Sequence, residues 1–277
     1  EMEDCGAVYK NSNNHETDVF DIFKTAGANL VRVRLWHNPT WTNYSNFEDV
    51  KKTILRAKAN NMTVLLDFHY SDTWADPTKQ EIPLAWEINL NNDSLLGDML
   101  YNYTFSTLKT LDSLELSPDI VQIGNEINPM ILQKGSLQWP IDWDRNSLLL
   151  NKGIEAVRNF SMRTQNNIEI MLHIAQPENG IWWFDQASNN NVVDYDWIGL
   201  SYYPQWSQYN LSNLEPVLTN LRTTYDKKLM IVETAYPFTL QNIDNANNIL
   251  DSQSLVANCP ATQQGQLDYL LELKRVL

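Results

Sequence analysis

The sequence predicts an α/β protein built as a (β/α)8 TIM barrel, and three observations carry that expectation. Short apolar runs rich in β-branched residues alternate with stretches of helical periodicity, the pattern of parallel βαβ units. Nearly every run ends in polar and aromatic residues, while the starts of the runs carry no such signal. A (β/α)8 barrel gathers its chemistry at the C-terminal ends of its strands, so this placement fits it. No Gly-x-Gly-x-x-Gly follows any strand, which leaves a doubly wound dinucleotide-binding sheet unsupported.

The elements follow in order. A first helix is expected over Thr17–Ala26, closed by Gly27, where a left-handed C′ residue belongs. Leu30–Leu35 reads as the first strand, and its alternation puts Arg32 and Arg34 on one face. Helical spacing over Asn46–Asn60 leads to a strand at Thr63–Phe68, and a helix at Ser94–Glu115 leads to Ile120–Ile123. Ser147–Thr164 precedes a strand at Ile168–Ile174, and a short helix at Trp182–Ser188 precedes Trp197–Ser201. Leu211–Tyr225 and Lys228–Val232 make the last helix–strand unit before a helix at Gly265–Val276. No Gly/Ser/Pro linker divides the chain, so residues 1–277 read as one catalytic barrel domain. These are six strands where a closed barrel has eight.

Composition narrows the function. Hydrophobic residues make up 43% and charged residues 19%, enough for a large core and too apolar for disorder. With 20 Lys+Arg against 34 Asp+Glu the net charge is −14, which argues against nucleic acid and suits a neutral polymer. Ten Trp and 12 Tyr against 8 Phe supply rings with apolar faces and polar rims, suited to sugar faces as well as cores. No apolar run of about 18 residues exists, so no membrane span is expected. The acidic start Glu1–Asp4 lacks the apolar core of a signal peptide. Cys5 and Cys259 form neither a disulfide framework nor a metal spacing.

Glu126 and Glu233 are the sharpest candidates for chemistry, because each follows directly on a buried-looking strand. A carboxylate at the mouth of a low-dielectric barrel is costly unless hydrogen-bonded or used. Glycoside cleavage needs such a pair, one protonated acid and one ionised carboxylate. The bland alternative is that either one caps a helix or pairs with Arg32 or Arg34. Asn125 offers an amide to a sugar 2-hydroxyl, and an arginine from Leu30–Leu35 can hold a nucleophile ionised. Tyr202 or Tyr203 can donate to that carboxylate, and His69 and His173 can orient hydroxyls or the acid. No His-x-x-x-His or His-Glu-x-x-His occurs, so metal catalysis is discounted and no cofactor is expected.

Four segments resemble the endo-β-1,4-galactanases of glycoside hydrolase family 53. They are Leu30–Pro39, Asp67–Pro77 (Asp-Phe-His-Tyr-Ser-Asp-Thr-Trp-Ala-Asp-Pro), Gln122–Glu126 and Val232–Pro237. The likeness runs from about Gly6 to Leu277. It implies retaining hydrolysis of internal β-1,4-galactosidic bonds in type I arabinogalactan, the galactan of pectin. It makes Glu126 the general acid/base and Glu233 the nucleophile. Asn125, Arg32, His69, Trp74 and Tyr203 match sugar-proximal positions, with Asp72, His173, Trp36 and Trp206 as further carry-overs. Packing explains Trp36 and Trp206 equally well. Family chains begin with a strand before the first helix and end with a strand carrying an aromatic segment, so this chain is expected to be clipped at both ends. Some relatives hold calcium after the last strands, and Asn242–Asp251 is the corresponding oxygen-rich stretch, although such loops are usually just solvated. A secreted or envelope-exposed monomer acting on β-1,4-galactan is expected, with the two carboxyls about 5–5.5 Å apart. Another β-glycanase of the same clan, a mannanase or glucanase, and a non-catalytic sugar-binding barrel are the alternatives.

Overall fold

The computed structural model describes residues 1–242 and 248–277. Six strands, β1 (Leu30–Leu35), β2 (Thr63–Phe68), β3 (Ile120–Ile123), β4 (Glu169–Ala175), β5 (Trp197–Ser201) and β6 (Lys228–Glu233), form one sheet in sequence order. Every neighbouring pair is parallel. Helices α1 (Val19–Thr25), α2 (Phe47–Ala59), α3 (Asp93–Ser113), α4 (Trp143–Thr164), α5 (Pro177–Asn189), α6 (Glu215–Tyr225) and α7 (Gln263–Val276) alternate with them. Parallel strands joined by helical crossovers of one hand curl, and here the curl is strong. Arg32 on β1 reaches Glu233 on β6 at 2.8 Å, although these strands are the two ends of the sheet.

The strand faces divide the core in two. Outward residues such as Leu66, Val121, Ile170, Leu172 and Leu200 are fully buried against the helices in the main cluster. Inward residues Leu65, Ile120 and Met171 form a second, smaller cluster with Leu30, Trp197, Met230 and Val232 at its margin. Above that apolar floor the inward positions turn polar: Arg32, Asp67, Gln122, His173 and Ser201. Hydrophobic burial builds the barrel wall, and the polar layer sits at the strand C-termini, where barrel enzymes keep their sites.

Strand bounds fall within a residue of expectation, and Gly27 takes φ +101° just past α1. Helix starts differ more. α4 begins at Trp143 rather than Ser147, because Asp142 accepts from the Arg145 N–H at 3.2 Å and caps the helix there. α5 begins at Pro177 rather than Trp182, since a proline at the first helical position is preorganised for a start. α6 begins later, at Glu215, because Asn210 and Asn213 side chains bond the preceding backbone into a turn. Short 3-10 helices at Leu84–Asn89 and Ser252–Ser254 had no sequence signal. Both cysteines are free, Cys5 exposed and Cys259 buried.

Candidate active site

The site begins with local backbone strain. Directly after β3, Gly124 has φ +79° and Glu126 φ +46°, so the chain turns sharply. A Cβ on Gly124 would meet Ile127 Cγ2 at 2.5 Å, so only glycine fits. A non-glycine residue in the left-handed region costs about 1 kcal/mol or more and persists only where its surroundings hold it. Gln80 supplies part of that hold, donating from Nε2 to the Asn125 carbonyl at 2.9 Å and to the Glu126 carbonyl at 3.2 Å.

A second irregularity serves Glu233. The β5–β6 register shifts between Leu200 and Ser201, so that Ser201 lies opposite Glu233 instead of Val232. A bulge of this kind re-aims a side chain, and here it turns the β6 carboxylate towards the inward polar layer. Glu233 accepts from Arg32 Nη1 at 2.8 Å and from the Tyr203 hydroxyl at 3.3 Å, two donors suited to a carboxylate. Burial opposes charge on Arg32, but Asp67 and Glu233 outweigh it and hold the guanidinium above its usual range. Asp67 is fully buried 2.9 Å from Arg32 Nη2 and 3.0 Å from His69 Nε2. Burial works against its ionisation too, yet Arg32 and His69 keep its carboxyl below the usual range. Burial, then the nearby Glu233 and Glu126, raises the Tyr203 phenol, so it remains a donor.

Glu126 has the opposite surroundings. Its Oε1 accepts from the Ser201 hydroxyl at 2.5 Å, and no cation touches it among the described residues. Burial, and next the charge of Glu233, push its carboxyl up to about 7; the Ser201 hydrogen bond works the other way. The two carboxyls therefore differ by environment, one paired with a cation and one kept protonated near neutrality, as acid–base division of labour requires.

The remaining candidates separate. Arg32, His69, Asn125, Tyr203, Glu126 and Glu233 come together at the strand C-termini. Asn125 accepts from Arg32 Nη2 at 2.6 Å and donates one amide hydrogen to the Ala75 carbonyl, which leaves its other hydrogen unassigned. His69 accepts the Ala75 N–H on Nδ1 and so presents Nε2–H to Asp67. Trp74 is half exposed with the Arg34 guanidinium 3.8 Å from its ring centroid. Arg34 thus holds a ring rather than a carboxylate, and it also donates to Ser45.

Three candidates stand apart from this group. Tyr202 is fully buried on the helix side and donates to the Tyr209 carbonyl, because strand alternation turns it away from Tyr203. His173 is fully buried, which removes it from direct substrate contact but leaves it hydrogen-bonded to the Glu126 backbone and Ser201. Asp72 is spent on loop contacts to His37, Asn38 and Leu84. Trp36 is a core residue, whereas Trp206 is half exposed and lines the cleft beside Tyr203. Sequence reasoning missed Asp67, Gln122 and Ser201; alternation from His69 marks Asp67 as inward, while no candidate within β3 or β5 marks Gln122 or Ser201. The cleft has a volume of about 1150 Å³ and runs from Glu126 and Glu233 along Tyr203, Trp206 and Phe238.

No group of three or more His, Cys, Asp or Glu able to hold a metal occurs among the described residues. Half of the oxygen-rich stretch Asn242–Asp251, residues 243–247, lies outside the described residues. No helix is long and apolar enough to cross a membrane among the described residues.

A curled parallel sheet with two unlike carboxylates at its C-terminal rim defines a barrel glycoside hydrolase. The sequence profile of glycosyl hydrolase family 53 matches residues 1–277, and the chain belongs to that family. It is 52% identical to an arabinogalactan endo-β-1,4-galactanase of Cellvibrio japonicus, covering all of this chain and 74% of that protein. It is 38% identical to an endo-β-1,4-galactanase of Bacillus subtilis, over 96% of this chain and 61% of the other. The fold matches the family 53 catalytic domain of Ignisphaera aggregans with a TM-score of 0.88 at 32% identity, covering 100% of this chain and 77% of that one. The six strands are thus those of a (β/α)8 barrel of this family.

Proposed function

We propose that this protein is an arabinogalactan endo-β-1,4-galactanase that cleaves pectic galactan with retention of configuration. Glu126 acts as general acid/base and Glu233 as nucleophile. The observation that carries the assignment of roles is the asymmetry between them: Arg32 and Tyr203 donate to Glu233, while Glu126 meets only a hydroxyl and is pushed up to about 7. In the first step Glu233 attacks the anomeric carbon while Glu126 gives its proton to the departing glycosidic oxygen. Forming the glycosyl ester removes the Glu233 charge that raised Glu126. The carboxyl of Glu126 then falls in pKa and can take a proton from water in the second step. The free Asn125 amide hydrogen is suited to a sugar 2-hydroxyl, a contact that strengthens in an oxocarbenium-like transition state.

The galactan specificity rests on the named relatives, and the half-exposed Trp74 and Trp206 suit a polymer of apolar sugar faces. A wall polysaccharide is met outside the cell, so secretion or exposure at the envelope follows from the substrate. Release of reducing ends from β-1,4-galactan, with none from mannan or cellulose, is the expected result; the reverse pattern would reject the assignment. NMR of the first-formed product should show the β anomer, and an α anomer would exclude the covalent route.

A further inference from the structure

Glu126 is gripped by one buried residue from two sides. The Glu126 backbone N–H donates to His173 Nδ1 at 3.3 Å, and the Gln122 amide lies 3.2 Å from the same nitrogen. The other ring nitrogen, Nε2, lies 2.9 Å from Ser201 Oγ, which in turn lies 2.5 Å from Glu126 Oε1. Backbone, imidazole, hydroxyl and carboxylate therefore close a ring. His173 is fully buried, and burial, aided by the charge of Arg32, drives its pKa well below the usual range, so the ring holds one proton only.

That single proton fixes the direction of the chain. With the proton on Nε2, the bare Nδ1 accepts the Glu126 N–H, Nε2 donates to Ser201, and among the described residues the Ser201 hydroxyl has only Glu126 Oε1 to donate to. With the proton on Nδ1, it would point at Asn125 Oδ1, 2.9 Å away. Asn125 Oδ1, which accepts from Arg32 Nη2 at 2.6 Å, has a second lone pair for that proton, but the Glu126 N–H would lose its acceptor among the described residues and the Gln122 amide would lose Nδ1. Orphaning a partly buried backbone N–H is costly, which favours the Nε2 proton.

We propose that Ser201, oriented by an Nε2-protonated His173, is a positioning residue that occupies Glu126 Oε1 and so confines the transferable proton to Oε2. Oε2 has no protein partner among the described residues, and Glu126 lines the cleft. The same hydroxyl donates to Oε1 whether Glu126 is protonated or ionised, so neither His173 nor Ser201 changes proton state during turnover. Other groups facing Glu126 are Glu233 from β6, Asp76 from the loop after β2, Arg32 from β1 and Tyr203 after β5. The Ser201 hydroxyl hydrogen-bonds none of these four.

The inference rests on Glu126 as the acid/base, and its test keeps the two apart. Ser201→Ala removes a donor that favours the carboxylate, so the alkaline limb of kcat/KM on galactan should move up by about one pH unit. Ser201→Thr, which keeps the hydroxyl, should return the limb to its original position. An unmoved limb in Ser201→Ala, or a limb that Thr does not return, would overturn the proposal. Histidine ¹⁵N spectra of the unaltered enzyme give a second measure free of folding effects. His173 should show unprotonated Nδ1 and protonated Nε2 from pH 5 to 8; a protonated Nδ1 would overturn the proposal. Glu126→Gln assayed alongside tests the underlying role, because only the acid/base variant should spare substrates with good leaving groups.

Discussion

Glu126 shows how one side chain can serve reaction and stability in opposite ways. Its burial beside Glu233 pushes its pKa up to about 7, so a large share of the molecules keep the proton at neutral pH, and the departing oxygen of natural galactan needs that proton. Glu126→Gln should therefore lower cleavage of galactan by about 10²–10⁴-fold while sparing aryl glycosides with very good leaving groups. Equal loss on both, with glycosylation rate-limiting for each, would take the role away from Glu126. The same raised pKa has a cost in stability. In the unfolded chain the carboxyl ionises near 4.5, whereas the folded one holds its proton to about 7. The folded state binds the proton more tightly, so its stability declines as pH rises from about 4.5 and levels off above 7, a loss of about 3 kcal/mol. Gln cannot ionise and can still accept from Ser201. The variant should match the parent in Tm near pH 4 and exceed it at pH 8. A Tm difference that does not change with pH would contradict the buried-carboxyl account.

At the level of elements, the site depends on two departures from regular structure. The turn after β3 needs Gly124, since φ +79° and the 2.5 Å approach of Ile127 both exclude a Cβ. Gly124→Ala should destabilise the fold by about 2–3 kcal/mol and displace Glu126, lowering kcat by more than the stability loss explains. Full activity in a folded Ala variant would show that the turn does not set the Glu126 position. The regular parts were legible in the sequence because burial on both faces writes strands as apolar runs, and all six lie where those runs lie. Glu126 and Glu233 were legible because polar residues directly after such runs stand out. Less legible was what depends on partners distant in sequence. Ser201 reads as an ordinary strand end until the β5–β6 register shift sets it opposite Glu233. Tyr202 and Tyr203 look equivalent in sequence, and only the face of the strand separates the core residue from the site residue. Helix starts were misjudged where a cap or a proline, rather than apolar periodicity, decided them.

Across the whole molecule, a single arginine ties the ends of the sheet together. Arg32 leaves β1, crosses the mouth of the curl to Glu233 on β6, and on the way meets Asp67, Gln122 and Asn125. Its partners are strung over three further strands or the turns that follow them, so the charge network and the curvature of the sheet depend on each other. Removing one member of a buried ion pair is worse than lacking the pair, because the survivor keeps its desolvation cost. Arg32→Met leaves the fully buried Asp67 with His69 and the neutral Gln122 amide as its close partners, and a loss of about 3–5 kcal/mol is expected. Adding Asp67→Asn removes the stranded charge and should recover part of that stability. Activity should not return with it, since Glu233 would still lack its cation and Asn125 its anchor. Thermal unfolding and galactan hydrolysis of the two variants separate these effects. A double variant no more stable than Arg32→Met would show that the stranded Asp67 charge is not the source of the loss. A double variant that regained activity would show that Glu233 needs no cation to attack.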